Sequence, residues 1–452
     1  MGVLRVLMFL LRLIFGVTFI LSGYFKLTDP VGTGLIVEEY LGALHMDFLR
    51  PGAVVFGAAL SLTEFLIGIA VLMCVRMRAA STAGLLMTVF FTVLTFFMAL
   101  YDAIGECGCF GEAIPLTMWE TFAKNVVLII CIVPVFLFRR KFKPVAPAPA
   151  EWAFLGTYGV LALVSVIYSC VNLPLMDFGN FRVGSNLSAR LDKITDTDNF
   201  ETYFVYEKDG DQQYFGLDDL PDTSWHYVSS ESVYLGDDRD LLFDMTLSTR
   251  DGDIVTENLI NSRVPEFIFV VLRPGDLAPD YWDKVSSCID SVSRYGGLSY
   301  VAAPEMDPAM DSVLVRYPGL EKSMLYGDGR TLIAMVRSNG GVMLVHNGIV
   351  VKKWAARRFS PGDVPLTFSL DTEEITAREI ISRRLFYESS ILLLFLIIII
   401  FRYVCGIIYG RRFSRMWAIT AAASKRKRRE ARELRRLRRK NKKKTTEDDP
   451  QE

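Results

Sequence analysis

A chain of 452 residues that is 51% hydrophobic, with a mean hydropathy of +0.29, is too apolar for an ordinary soluble protein of that length. Its net charge of −1 hides an asymmetry, because 411–444 is crowded with Lys and Arg while 177–380 is rich in Asp and Glu; such asymmetry points to different compartments or partners. Seven cysteines in this length exclude a disulfide-stapled scaffold.

The excess apolarity is gathered into blocks long enough to cross ~30 Å of hydrocarbon as helices. The first block, 3–23, is too long for the apolar core of a signal peptide and is interrupted by Arg12, so it reads as a retained helix. Further blocks follow at 52–75, 79–101, 119–138, 152–171 and 386–401, the last extending towards Tyr409. Among them Pro134 is the one internal proline, near the end of the fourth block. Continuous apolar helices satisfy their own backbone groups, as the bilayer core demands. Between the fourth and fifth blocks, Lys143-Pro-Val-Ala-Pro-Ala-Pro-Ala150 reads as a short polyproline-like linker.

Basic residues set the orientation. Arg76 and Arg78, then Arg139, Arg140, Lys141 and Lys143, then Arg411, Arg412, Arg415 and the run 425–429 all fall on one side of alternating helices. The positive-inside rule makes that side the cytoplasm. Both termini are then cytoplasmic, and 24–51, 102–118 and 172–384 lie outside. The expected organisation is a four-helix unit over 1–140, a linker at 141–151, a fifth helix at 152–171, an outer lobe at 172–260, an α/β domain at 261–384, a sixth helix at 385–409 and a basic tail at 410–452.

Within the outer region, Glu266–Leu272 is a buried strand by its aliphatic and aromatic run, and 279–295 has helical spacing in Trp282, Val285, Ile289 and Val292. Strands are expected at 298–303 and 322–326, and helices at 307–317 and 331–336. A hairpin at 342–354 turns on Asn347-Gly348. The order β-α-β-α-β-α-β-β describes an α/β layered domain and matches the thioredoxin-like order.

The segment Glu106-Cys107-Gly108-Cys109-Phe110-Gly111 carries the strongest chemical signal. It sits at the outer end of the third helix, where disulfides persist. Two cysteines one residue apart close only a tight ring, and Gly108 supplies the turn. Strained disulfides are the labile, catalytic kind. Lys124, just inside the fourth helix, would favour a thiolate at Cys107 or Cys109. The alternatives are a static staple and a metal site; the chain's three histidines, none nearby in sequence, disfavour the metal. Arg12 and Glu64 fall at similar depth inside the hydrocarbon and are expected to pair, since each alone would cost at least ~2.5–3.5 kcal/mol. Lys26 and Asp29-Pro30 close the first helix at the outer interface, with Lys26 snorkelling and Pro30 starting the loop.

Arg12, Phe19, Ser22-Gly23, Lys26, Asp29-Pro30, Glu64 and Cys107-Gly108-Cys109-Phe110-Gly111 together resemble the DoxX/MauE membrane family. Leu173-Pro174-Leu175-Met176-Asp177-Phe178 and Arg337-Ser338-Asn339-Gly340-Gly341 extend the likeness to bacterial proteins joining a MauE-type unit to an outer thioredoxin-like domain. The resemblance implies a bacterial inner-membrane protein doing thiol or quinone redox work, with a quinone as the implied cofactor. It ties the first unit to methylamine utilisation, where such proteins assist maturation of a disulfide-rich subunit. Two departures stand against a redox-active outer domain. Arg273–Pro279 holds no Cys-x-x-Cys, and Gly340-Gly341 stands where thioredoxins place a cis-proline. Cys288 reads as a packed core thiol, as do Cys74, Cys131 and Cys405 near the membrane; Cys170 ends the fifth helix outside and is a candidate disulfide partner.

The tail reads as a basic helix that meets anionic lipid; no aromatics interleave to stack nucleic-acid bases. Two functions remain open. One is a membrane oxidoreductase acting on envelope thiol proteins through Cys107 and Cys109. The other is a non-enzymatic envelope scaffold whose α/β domain holds a partner protein.

Overall fold

The computed structural model describes residues 2–101, 108–195, 200–208, 211–222, 224–234, 245–305 and 307–447. Six of its helices are long and apolar enough to cross a membrane, which makes this a multi-pass membrane protein. The helices of the first unit are α1 (Gly2–Thr28), α2 (Pro30–Ala43), α3 (Ala53–Met73), α4 (Met77–Tyr101) and α5 (Met118–Leu137). α2 is not a span. The sequence reading left 24–51 as a loop, but Asp29 accepts a hydrogen bond from the Gly32 amide and Pro30 takes the first helical position, an N-terminal signature that starts a helix there.

Small residues let α1 and α3 approach closely. A side chain at Gly23 would meet the Phe65 backbone at 2.7 Å, and one at Gly68 would meet the Ile20 amide at 2.7 Å. The two helices therefore run antiparallel with Gly23 level with Phe65 and Gly16 level with Leu72. Phe15, Phe19, Val71, Ile132 and Val135 form the core between them and α5. The fifth span, α6 (Ala148–Val171), packs Phe154 and Tyr158 against α1, α3 and the last helix.

The chain then turns through α7 (Leu187–Thr195) into a small antiparallel sheet of β2 (Phe200–Lys208), β3 (Asp211–Gly216) and β4 (His226–Tyr234), ordered β3-β2-β4. Before these, β1 (Cys109–Glu112) is a short extended segment ahead of α5. The α/β region follows as β5 (Leu247–Ser248), α8 (Thr256–Ile260), β6 (Glu266–Val270), α9 (Pro279–Arg294), β7 (Leu298–Pro304), α10 (Pro308–Arg316), β8 (Met324–Gly327), α11 (Gly329–Met335), β9 (Gly341–His346), β10 (Ile349–Trp354) and α12 (Asp363–Ser369). Its sheet is mixed, ordered β10-β9-β6-β7-β8-β5, with β6, β7 and β8 parallel and the rest antiparallel. Alternation along β6 sends Phe267 and Phe269 to one buried face and Ile268 and Val270 to the other, so helices cover both sides. Asn347 (φ 50°) and Gly348 (φ 72°) form the hairpin turn, both left-handed as that turn requires.

The last helix, α13 (Thr372–Glu447), crosses as the sixth span over Thr372–Tyr409 and continues unbroken into the basic tail. The α1 N-terminus, the α3–α4 turn, the α5–α6 linker and the tail share one end of the bundle. The α/β region, α2 and β1 share the other.

Candidate functional site

The polar groups at the domain end of the bundle are organised by the α1–α3 register. Lys26 donates to Glu64 at 2.7 Å, and both side chains are nearly buried, at 11% and 7% exposure. Arg12 and Glu64, expected to pair, do not meet. Fourteen residues of α1 separate Arg12 from Lys26, about 21 Å along a helix. Arg12 instead lies level with the last turn of α3, donating to the carbonyls of Val71 (3.1 Å) and Leu72 (2.6 Å), with its guanidinium 5.3 Å from the Phe142 ring centroid. Terminal carbonyls of a helix lack intrahelical partners and carry the negative end of its dipole, so a cation settles there.

The cysteine segment meets α1 at Ser22, one turn before Lys26. The Ser22 hydroxyl donates to the Cys109 carbonyl at 2.5 Å, and Gly108 takes φ 61°, a left-handed turn packed against Ile36 of α2. α5 starts with a reciprocal cap between Thr117 and Glu120, which orients the following turn. That turn carries Lys124, whose ammonium stands 4.9 Å from the centroid of Phe110, the neighbour of Cys109. Cys107 lies outside the described residues. The structure therefore brings Ser22, Lys26, Glu64, Cys109 and Lys124 to one end of the four-helix unit and leaves Arg12 at the other.

Asp29 does more than close α1. Besides capping α2 it accepts from Nε of Arg337, at 3.2 Å, across from the α/β region. The same guanidinium donates through Nη2 to Glu112 at 2.5 Å and through Nη1 to the Ile333 carbonyl at 3.2 Å. Arg337 is 2% exposed and Glu112 belongs to the same short strand as Cys109. Beside it Lys353 of β10 pairs with Asp177 at 2.8 Å, both buried, and Arg330 pairs with Glu39 of α2. Burial opposes the Arg337 charge, but Glu112, then Asp29 and Asp177, outweigh it and hold the guanidinium firmly protonated. Burial likewise raises the Asp177 carboxyl, yet Lys353 and then Arg337 bring it below its ordinary range. The result is a buried ionic clasp between the membrane unit and the α/β region.

In the sequence Arg337 and Asp177 stand out only within the runs that carry the resemblance, and neither Glu112 nor Lys353 is among the expected site residues. One signal existed for Lys353. It follows Val350-Val351-Lys352 in a buried hairpin strand, where one of two adjacent lysines must face inward.

The α/β region holds no thiol chemistry of its own at 273–279. Asn339 ties that segment to the turn before β9, accepting from the amides of Leu272 and Arg273. Cys288 is fully buried in the core, and burial pushes its thiol up to about 11. Among the described residues no group of His, Cys, Asp or Glu is arranged to hold a metal ion.

Comparison with known families finds two matches. The family model described as Methylamine utilisation protein MauE matches residues 4–138, and a domain of unknown function (DUF8463) matches residues 200–235. The first covers α1 to α5, and the second covers the small β3-β2-β4 sheet. No curated protein and no solved structure matches the chain.

Proposed function

We propose that this protein is a membrane-embedded thiol redox accessory protein of the bacterial inner membrane, acting on envelope proteins through Cys107 and Cys109. The observation that carries the reading is convergence. Ser22 and Lys124 contact the segment of Cys109, the Lys26–Glu64 pair lies at the same end of the bundle, and Arg337 fastens Glu112 in the same strand to the α/β region. The likeness of residues 4–138 to a methylamine-utilisation family supports a membrane accessory role.

In the proposed cycle the Cys107–Cys109 disulfide accepts two electrons from a client dithiol. The client's thiolate attacks one sulfur, its second thiol resolves the mixed disulfide, and the client leaves oxidised. A quinone acceptor would supply the oxidising power that takes two electrons and two protons from the resulting dithiol and returns Cys107 and Cys109 to the disulfide. Lys124 offers positive charge that favours the thiolate form. The α/β region serves as a thioredoxin-like positioning module without a nucleophile, a role that the inert Cys288 and the cysteine-free 273–279 segment support.

Purified full-length protein titrated with a dithiothreitol series and quenched by alkylation should show a two-electron transition at a potential above about −300 mV. Either Cys107→Ser or Cys109→Ser should abolish it. A pair that stays oxidised in strongly reducing buffer would make the segment a static staple and leave a purely structural scaffold, clasped by Arg337, as the function.

A further inference from the structure

At the end of the bundle away from the α/β region, the α3–α4 turn, the end of α5 and the linker after it enclose a cavity of about 300 Å³. Arg76, Arg78, Arg139 and Arg140 line it, and none of the four forms an ion pair among the described residues. The one carboxylate in the wall, Glu151, is buried at 3% exposure and is engaged with backbone, accepting from the amides of Arg76 (3.3 Å) and Val145 (3.2 Å). Four arginines thus share a wall with one carboxylate that already has donors, the Arg139 guanidinium also donating to the Phe136 carbonyl at 2.8 Å.

The cavity is a built feature. Cys74 (φ 57°) and Arg76 (φ 46°) both hold left-handed backbone without being glycine, a conformation that L side chains rarely adopt. The linker, expected to be polyproline-like, is pinned by Glu151, and its Phe142 and Pro144 form part of the wall. Orientation of the helices requires positive charge on this side but does not require it to converge on a concavity.

We infer that this cavity binds the phosphate of an anionic phospholipid in the adjoining leaflet. Guanidinium forks match phosphate oxygens, and basic pockets between helix ends suit such headgroups. The volume lies at the low end for a small-molecule site, suited to a headgroup whose chains remain outside. Trp152 lies under Arg76, 5.0 Å from ring centroid to guanidinium, and is 56% exposed, which marks the interfacial level. Leu137 at the end of α5, 68% exposed, offers apolar surface for the chains. A free phosphate shares the headgroup chemistry but would gain nothing from that surface.

The test is native mass spectrometry of the full-length protein after incubation with phosphatidylglycerol or phosphatidylcholine and detergent exchange. The protein should retain phosphatidylglycerol and release phosphatidylcholine. In a background where the basic residues of 425–444 are replaced by Gln, so that the tail cannot contribute, Arg76→Gln and Arg140→Gln should each weaken retention about five-fold. Should these variants fail to fold, the preference between the two lipids in the tail-substituted background decides alone. Equal retention of both lipids, loss that follows the tail and not the arginines, or full displacement by millimolar inorganic phosphate would each overturn the assignment.

Discussion

Glu64 takes its counter-charge from Lys26, and the cost of separating them sets a measurable expectation. Removing one member of a buried pair leaves an uncompensated charge, typically at about 3–5 kcal/mol. Lys26→Met or Glu64→Gln should therefore lower the thermal unfolding temperature of the detergent-solubilised protein markedly. Lys26→Glu combined with Glu64→Lys should recover much of the loss, whereas Arg12→Glu combined with Glu64→Arg should not; the reverse pattern would mean that the Lys26–Glu64 contact is unimportant. Glu266 carries the opposite problem. It is 1% exposed at the start of β6, and burial pushes its pKa from 4.5 up to about 8. A carboxyl raised in the folded state contributes stability that is fully present below its unfolded value and is lost as pH rises through the folded value. The protein should become less stable between about pH 4.5 and pH 8 through this group. Glu266→Gln should flatten that part of the pH profile and gain most at the alkaline end. Unfolding curves of wild type and variant that stay parallel from pH 5 to pH 8 would rule the titration out.

β1 and the turn before β9 meet through one guanidinium, which makes the clasp a joint between elements. Arg337→Ala would leave Asp29 and Glu112 facing each other without a cation, a loss of about 3–5 kcal/mol by the same reasoning. The α/β region should then loosen from the four-helix unit. In reduced protein, Cys109 should react faster with a bulky maleimide in the Arg337→Ala variant, while Arg273→Ala, an exposed surface ion pair with Asp276, should change nothing. An unchanged rate in Arg337→Ala would mean that the clasp does not guard the segment. None of this joint was legible beforehand, because Arg337 stands 308 residues from Asp29 and 225 from Glu112, and hydrophobic periodicity carries no information on such pairs. The spans were legible for the converse reason: a bilayer imposes an unbroken apolar run that needs no partner to be recognised. α2 fell between these cases. Pro30-Val-Gly-Thr-Gly has poor helix propensity and no apolar stripe, yet Asp29-Pro30 is an N-terminal signature that local reading had available. In the α/β region the aliphatic run of β6 and the Asn347-Gly348 turn were clear, while β5, two residues long at the sheet edge, had no pattern to read.

Across the whole molecule, the two ends of the bundle differ in chemistry. One end gathers the cysteine segment, buried ion pairs and the α/β region; the other gathers arginines around a cavity and the basic continuation of α13. Helix alternation fixes which segments share an end, but the direction of the whole across a membrane rests on charge alone. Short basic loops resist translocation, so the end bearing Arg76, Arg78, Arg139 and Arg140 should face the cytoplasm and the α/β region the envelope side. That direction is also the one in which Cys107 and Cys109 meet a compartment where disulfides persist. Single reporter cysteines decide it. Gln212→Cys lies in the small sheet on an exposed strand, and Asn441→Cys lies in the tail. In intact cells a membrane-impermeant maleimide should label the first directly and the second only after lysis. Labelling of position 441 from outside with position 212 protected would invert the molecule, place the cysteine segment in a reducing compartment and remove the disulfide cycle.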